Sequence, residues 1–147
     1  MNLKTLFISV CLLVMSALTW AEQKQVFGDY EVHYMGLTTS ELDKQVAKIY
    51  GITRSRNVGY LMISVLKTGV SDLPVAWNAT LEGEISNLIG QKKPITFTRI
   101  QESSALYFYS TFDFYDANMY RFNIKVTPEG ETRTFDVKFS QTFYRGE

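Results

Sequence analysis
From Val26 to Tyr144 the chain alternates apolar and polar residues with a period of two, in one short run after another. That period places successive side chains on opposite faces of an extended strand, so each run buries one face and wets the other. Tyr120, Phe122, Ile124 and Val126 alternate with Arg121, Asn123 and Lys125. Phe135, Val137, Phe139 and Phe143 alternate with Asp136, Lys138 and Thr142. Leu106, Phe108, Phe112 and Phe114 share one parity, and Tyr107 and Tyr109 take the other. Val75, Trp77, Ala79, Leu81 and Ile85 run against Asn78, Thr80, Glu82 and Glu84, which gives Trp77 the parity of the core. Val26, Tyr30, Val32 and Tyr34 run against Asp29, Glu31 and His33. Ile95 and Phe97 follow Pro94 at strand spacing. Tyr60–Leu66 is apolar at nearly every position, which fits the centre of a sheet.

One segment breaks the pattern. Thr38 to Glu41 has capping-box spacing, and Leu42, Val46, Ile49 and Tyr50 then fall on one helical face. Gly51 stands where a left-handed C-cap belongs. The spacing predicts one short helix over about 40–50. Seven alternating strands, one helix and prolines confined to turns and strand ends predict an all-β fold. The expected architecture is an antiparallel two-sheet sandwich of immunoglobulin-like type, with a barrel around a cavity as the alternative.

Residues 1–21 read as a secretory leader. Lys4 is followed by an apolar run from Leu6 to Leu18, then Thr19-Trp20-Ala21 ahead of polar residues. The run is shorter than the ~20 residues a spanning helix needs. The same segment, left uncleaved, would be an N-terminal anchor. Cleavage after Ala21 leaves residues 22–147 as one sandwich domain with no stable membrane span and a periplasmic location. The single cysteine, Cys11, lies inside the leader, so the exported domain holds no disulfide.

The blocks FGDYEVHY, QVAKIYGITRSRN, ISNLIGQ and FSQTFY, in that order, resemble a family of exported gammaproteobacterial proteins known as domain of unknown function 4426. The resemblance runs from about Gln25 to Tyr144, and Gly69–Pro74 departs from it. It implies a secreted or periplasmic single domain and brings no catalytic residue with it.

Lys plus Arg and Asp plus Glu are 15 each, which argues against a nucleic-acid binder needing a basic stripe. With one His and one Cys, any site needing two of either within the chain is excluded. Asp29, Glu31 and His33 occupy alternate positions, about 7 Å apart on one strand face, where a nitrogen and two carboxylates suit a metal. The same pattern also describes a solvated strand face. His33 has the intrinsic pKa of a general base, but no G-x-S-x-G turn occurs and Ser103-Ser104 sits in a plain turn. Arg54 and Arg56 have the forks to share an anion, or to bond loop carbonyls instead. Tyr107 and Tyr109 offer a paired aromatic platform for a sugar or a partner, unless the helix covers them. Glu82 and Glu84 are a carboxylate pair of the type glycoside hydrolysis uses, and the same pattern is commonplace on a wet strand face.

No cofactor fingerprint is present, and no cofactor is implied. The reading these features favour is a non-catalytic periplasmic module. It would bind an envelope protein or an extended peptide through a sheet face or an edge strand. The alternatives are a small metal protein or enzyme using Asp29, Glu31 and His33, and a carrier of an apolar ligand in a lumen lined by Phe108, Phe122 and Phe139.

Overall fold
A computed structural model describes residues 23–146, so the expected leader and its cleavage point lie outside the described residues. Among the described residues ten strands form: β1 Lys24–Phe27, β2 Tyr30–Thr38, β3 Val58–Lys67, β4 Val75–Ala76, β5 Ala79–Asn87, β6 Lys92–Ile95, β7 Thr98–Glu102, β8 Ala105–Asp113, β9 Asn118–Pro128 and β10 Phe135–Phe143. The first sheet has the order β1-β2-β3-β8-β7, with β4 beside the end of β3, and the second has β10-β9-β5-β6. All pairings are antiparallel. Reading β2, β3, β8, β7 as A, B, E, D and β10, β9, β5, β6 as G, F, C, C′ reproduces the immunoglobulin strand order. The expected two-sheet sandwich is the observed one, and β3 is central in its sheet.

Three local departures have physical causes. The run read as one strand over Val26–Tyr34 is a hairpin, turned at Gly28 with φ +61°, a conformation glycine adopts without a Cβ penalty. The run from Val75 changes sheets at Trp77–Asn78, because β4 pairs with β3 and β5 pairs with β9. Trp77 anchors that crossing: its indole N–H donates to the Glu129 carbonyl at 2.9 Å, and Lys67 Nζ lies 4.4 Å from its ring centroid. Strand β7, TRIQE, was not expected. It is an edge strand with Ile100 as its one half-buried residue, so it carries no alternation to read.

The helix is shorter than expected. The Glu41 carboxylate accepts from the Thr38 N–H at 2.6 Å and closes a 3-10 turn over Thr39–Glu41. Asp43 caps the true helix, α1 (Lys44–Ile49), by accepting from Gln45 and Val46 N–H groups at 2.8 and 3.2 Å. Gly51 takes the predicted left-handed conformation, at φ +66°. The expected apolar face is corrected: α1 buries Ala47, while Ile49 is 73% exposed.

The core lies between the sheets and is rich in aromatic rings. Phe122 meets Phe112 edge-on at 5.4 Å and stacks on Phe139 at 4.8 Å. Phe139 stacks in turn on Tyr34 of the first sheet at 4.1 Å. Phe108 and Phe122 are buried and Phe139 is half-buried, so the three rings named for a ligand lumen belong to the core between the sheets. Tyr120 supplies a tyrosine corner, its hydroxyl accepting from the Tyr115 N–H at 2.9 Å. Phe122, two residues on, stands where antibody domains carry a disulfide cysteine.

Phe122→Ala is expected to lower stability by about 3–5 kcal/mol in urea unfolding, through lost transfer energy and a residual cavity. Tyr120→Phe, which removes only the corner hydrogen bond, is expected to cost about 1 kcal/mol in the same assay.

Candidate functional site
The β2 face divides the predicted metal triad. Asp29 lies in the β1–β2 turn, where its carbonyl accepts from the Thr68 N–H at 2.8 Å. Glu31 and His33 project together from β2, and Nε2 of His33 meets Oε2 of Glu31 at 2.9 Å. Register places Lys24 of β1 opposite His33, and its ammonium reaches the same carboxylate oxygen at 3.6 Å. The His33 hydrogen bond holds the Glu31 carboxyl below its ordinary value, partial burial opposes this, and the Lys24 charge reinforces it. Among the described residues no group of three His, Cys, Asp or Glu side chains is placed to hold a metal ion. The same face carries Met35 and Met62 directly opposite each other, two thioethers that the sequence reading passed over.

Arg54 and Arg56 act as staples. Arg54 Nη2 donates to the Ser40 carbonyl, and Arg56 Nε donates to the Gly146 carbonyl at 2.6 Å. They tie the segment before β3 to the β2–α1 connection and to the C-terminal tail, and their forks are not set around a shared anion.

Tyr109 is not an open platform. It stacks on Tyr60 at 5.5 Å, and its hydroxyl points at the Tyr50 carbonyl at the end of α1, 3.5 Å away. Tyr60 is 6% exposed despite facing away from the core, and burial, then the neighbouring Tyr109, pushes its phenol pKa up. Tyr107 is half-buried on the same face.

The outer face of the second sheet has no such cover. Side chains pointing outward there include Glu82, Glu84 and Ser86 of β5, Arg121 and Asn123 of β9, and Lys138 and Ser140 of β10. Register pairs Arg121 with Ser140 and with Ser86, and Asn123 with Lys138 and with Glu84. All of these but Glu82 line a groove of about 360 Å³, together with Lys92, Phe122 and Phe139. Glu84 is held by Lys92 at 3.0 Å. Among the described residues neither Arg121 nor Lys138 makes a side-chain hydrogen bond or an ion pair. Asn123 Oδ1 is buried at the floor of the groove without a hydrogen-bond partner. Buried acceptors of this kind are few in native proteins and call for a donor. The sequence signal for this site was only a polar parity on three separate strands.

Glu31 stabilises the folded state above its unfolded value, and that contribution is lost as pH falls through its lower folded value. Wild-type protein is therefore expected to exceed Glu31→Gln in urea stability at neutral pH, with the gap closing as pH falls from about 4.5. His33→Ala is expected to move the Glu31 titration upward in a carboxylate NMR titration.

No helix among the described residues is long and apolar enough to cross a membrane. No curated protein matches the chain. The crystal structure of a DUF4426 family protein from Pseudomonas aeruginosa PAO1 is similar, with 30% identity and a TM-score of 0.73, covering 88% of this chain and 99% of that one. A copper-bound variant of FetP from uropathogenic Escherichia coli strain F11 has a TM-score of 0.59 at 11% identity, covering 85% of this chain and 96% of that one. The as-isolated form of the same F11 FetP, recombinantly expressed in the periplasm of E. coli BL21(DE3), has a TM-score of 0.59 at 10% identity, covering 86% of this chain and 96% of that one. At those identities FetP shares the fold. The family model for a domain of unknown function, DUF4426, matches residues 24–146, and the chain belongs to that family.

Proposed function
We propose that this domain is an exported, non-catalytic binding module that works in the periplasm on an envelope component, through the outer face of its second sheet. The observation that carries the reading is the Asn123 acceptor, buried and unpartnered beneath an open groove flanked by Arg121 and Lys138. The edge-strand route has less support. Pro94 and two lysines interrupt the β6 edge, and the Gln25 side chain already occupies the Lys138 carbonyl on the β10 edge at 2.8 Å. The tyrosine face has less support as well, because Tyr109 points at α1.

The test is crosslinking of the tagged protein in its own cell envelope. Arg121→Glu with Lys138→Glu, both on an exposed outer face, is expected to fold normally and to cut capture of the dominant component by about tenfold. Capture that survives this change but disappears in Tyr107→Ala with Tyr109→Ala would move the binding surface to the other sheet and overturn the reading.

A second reading is metal binding on the β2 face. It is supported by the Glu31–His33 contact, since a ligating imidazole commonly gives its other ring nitrogen to a carboxylate. Met35 and Met62 on that face would favour a soft ion such as Cu(I). Purified protein is then expected to carry about one equivalent of metal that His33→Ala loses. Equal metal content in the two proteins would end this reading.

A further inference from the structure
Resting on the second-sheet face as the binding surface, we propose that its groove takes an acidic saccharide unit, a sugar carrying a carboxylate or a phosphate. Arg121 and Lys138 are diagonal neighbours on adjacent strands, about 7–8 Å apart at the backbone. Like charges at that spacing disfavour each other unless an anion lies between them. No carboxylate stands directly across from either: Arg121 faces Ser140 and Ser86, and Lys138 faces Asn123. The nearest acid in the groove, Glu84, is neutralised by Lys92. An anionic group therefore has a cationic seat with two unused donors.

The rest of the groove specifies what the anion is attached to. Asn123 Oδ1 requires a donor, which neither a bare carboxylate nor fully ionised phosphate can supply. Ser86 and Ser140 each donate and accept, so the lining beside the cationic seat is matched to hydroxyl groups. A polyhydroxylated ring bearing one negative charge meets both demands at once. Phe122 and Phe139 also line the groove, so part of its surface is apolar. An acidic peptide meets the charge, and the two serines and the Asn123 acceptor favour the sugar over it. The adjoining groove over Glu82, Gly83 and Lys125, also about 360 Å³, gives room for a second sugar unit.

The experiment is a proton–nitrogen NMR titration of the purified protein with galacturonate, glucose 6-phosphate, glucose, inorganic phosphate and a Glu-rich peptide. Both acidic sugars are expected to shift the amides of Asn123, Lys138 and Ser140 and to bind at least about tenfold more tightly than glucose or phosphate alone. Arg121→Gln with Lys138→Gln is expected to weaken them by about tenfold with the fold unchanged, and Asn123→Leu by several-fold. Di-galacturonate binding more tightly than the monomer would identify a polysaccharide as the source, and a preference for glucose 6-phosphate would identify a free sugar phosphate. Phosphate binding as tightly as either acidic sugar, or the peptide binding more tightly than both, would overturn the proposal. So would shifts confined to another face. Envelope capture that depends on Arg121 and Lys138, with neither acidic sugar bound, would overturn the ligand class and leave this face as the binding surface. Loss of that dependence would overturn both.

Discussion
Stacking of aromatic rings across the gap between two sheets is the interaction on which the rest of this structure depends. The domain has no disulfide to join its sheets, because the chain's one cysteine is Cys11. Rings take over that task. Phe27 of β1 stacks on Phe135 of β10 at 4.8 Å, Tyr34 of β2 stacks on Phe139 at 4.1 Å, and Phe112 of β8 meets Phe122 and Phe143 edge-on at 5.4 and 5.1 Å. Each such pair contributes about 0.5–1.5 kcal/mol beyond the area it buries. Four pairs together reach the range of a disulfide, about 2–4 kcal/mol. Side-chain bonds between the sheets set their alignment: Gln141 donates to the Gly36 carbonyl at 2.8 Å, and Thr38 to the Tyr144 carbonyl at 3.0 Å.

With the inner faces committed to the core, function is left to the outer faces, the edges and the loops. These are unequally available. The first sheet turns Tyr60 and Tyr109 outward and then sets α1 beside them, so part of that face is closed. Two of the edges are blunted, by Pro94 with its lysines and by Gln25. The second sheet keeps its outer face open, and there a buried acceptor and two cations lack partners among the described residues. Exposed charges are ordinarily solvated and need no explanation, but a buried acceptor without a donor does. That asymmetry is why the binding proposal is placed on the second sheet.

Family membership and fold carry different weight. At 30% identity over nearly the whole of both chains, the Pseudomonas aeruginosa protein shares this chain's family as well as its architecture. FetP shares the architecture with almost none of the side chains. A sandwich of this kind hosts many unrelated activities, so function has to be argued from this chain's own residues. His33, Glu31, Met35 and Met62 support one reading, and Arg121, Asn123 and Lys138 another.

Strand parity was legible in the sequence because it is a local property. Phe122, Ile124 and Val126 alternate with charged or polar residues whatever the chain does elsewhere, and a two-residue period permits only one face to be buried. The sandwich class, the central position of β3 and the left-handed Gly51 followed from such local rules. The Val26–Tyr34 hairpin was hidden because apolar residues stand at both parities before the turn: Val26, read with Tyr30 and Val32, in fact pairs with Glu31 and is exposed, and Phe27 pairs with Tyr30 and packs on the core. Strand β7 was hidden because an exposed edge strand needs no apolar face. The site candidates divide in the same way. Glu31 and His33 come together because they are two residues apart on one strand, whereas Asp29 leaves them when the chain turns. Arg54 and Arg56 had donors whose acceptors, the carbonyls of Ser40 and Gly146, no local rule could name. Arg121, Asn123, Lys138 and Ser140 become one groove only through the pairing of β9 with β10 and β5. The sequence alone determined which side chains face out along the long strands, though not in β1, where Val26 is exposed. Only the tertiary structure decided which of them are neighbours and which face stays uncovered, because register and layer packing are set by contacts between residues far apart in the chain.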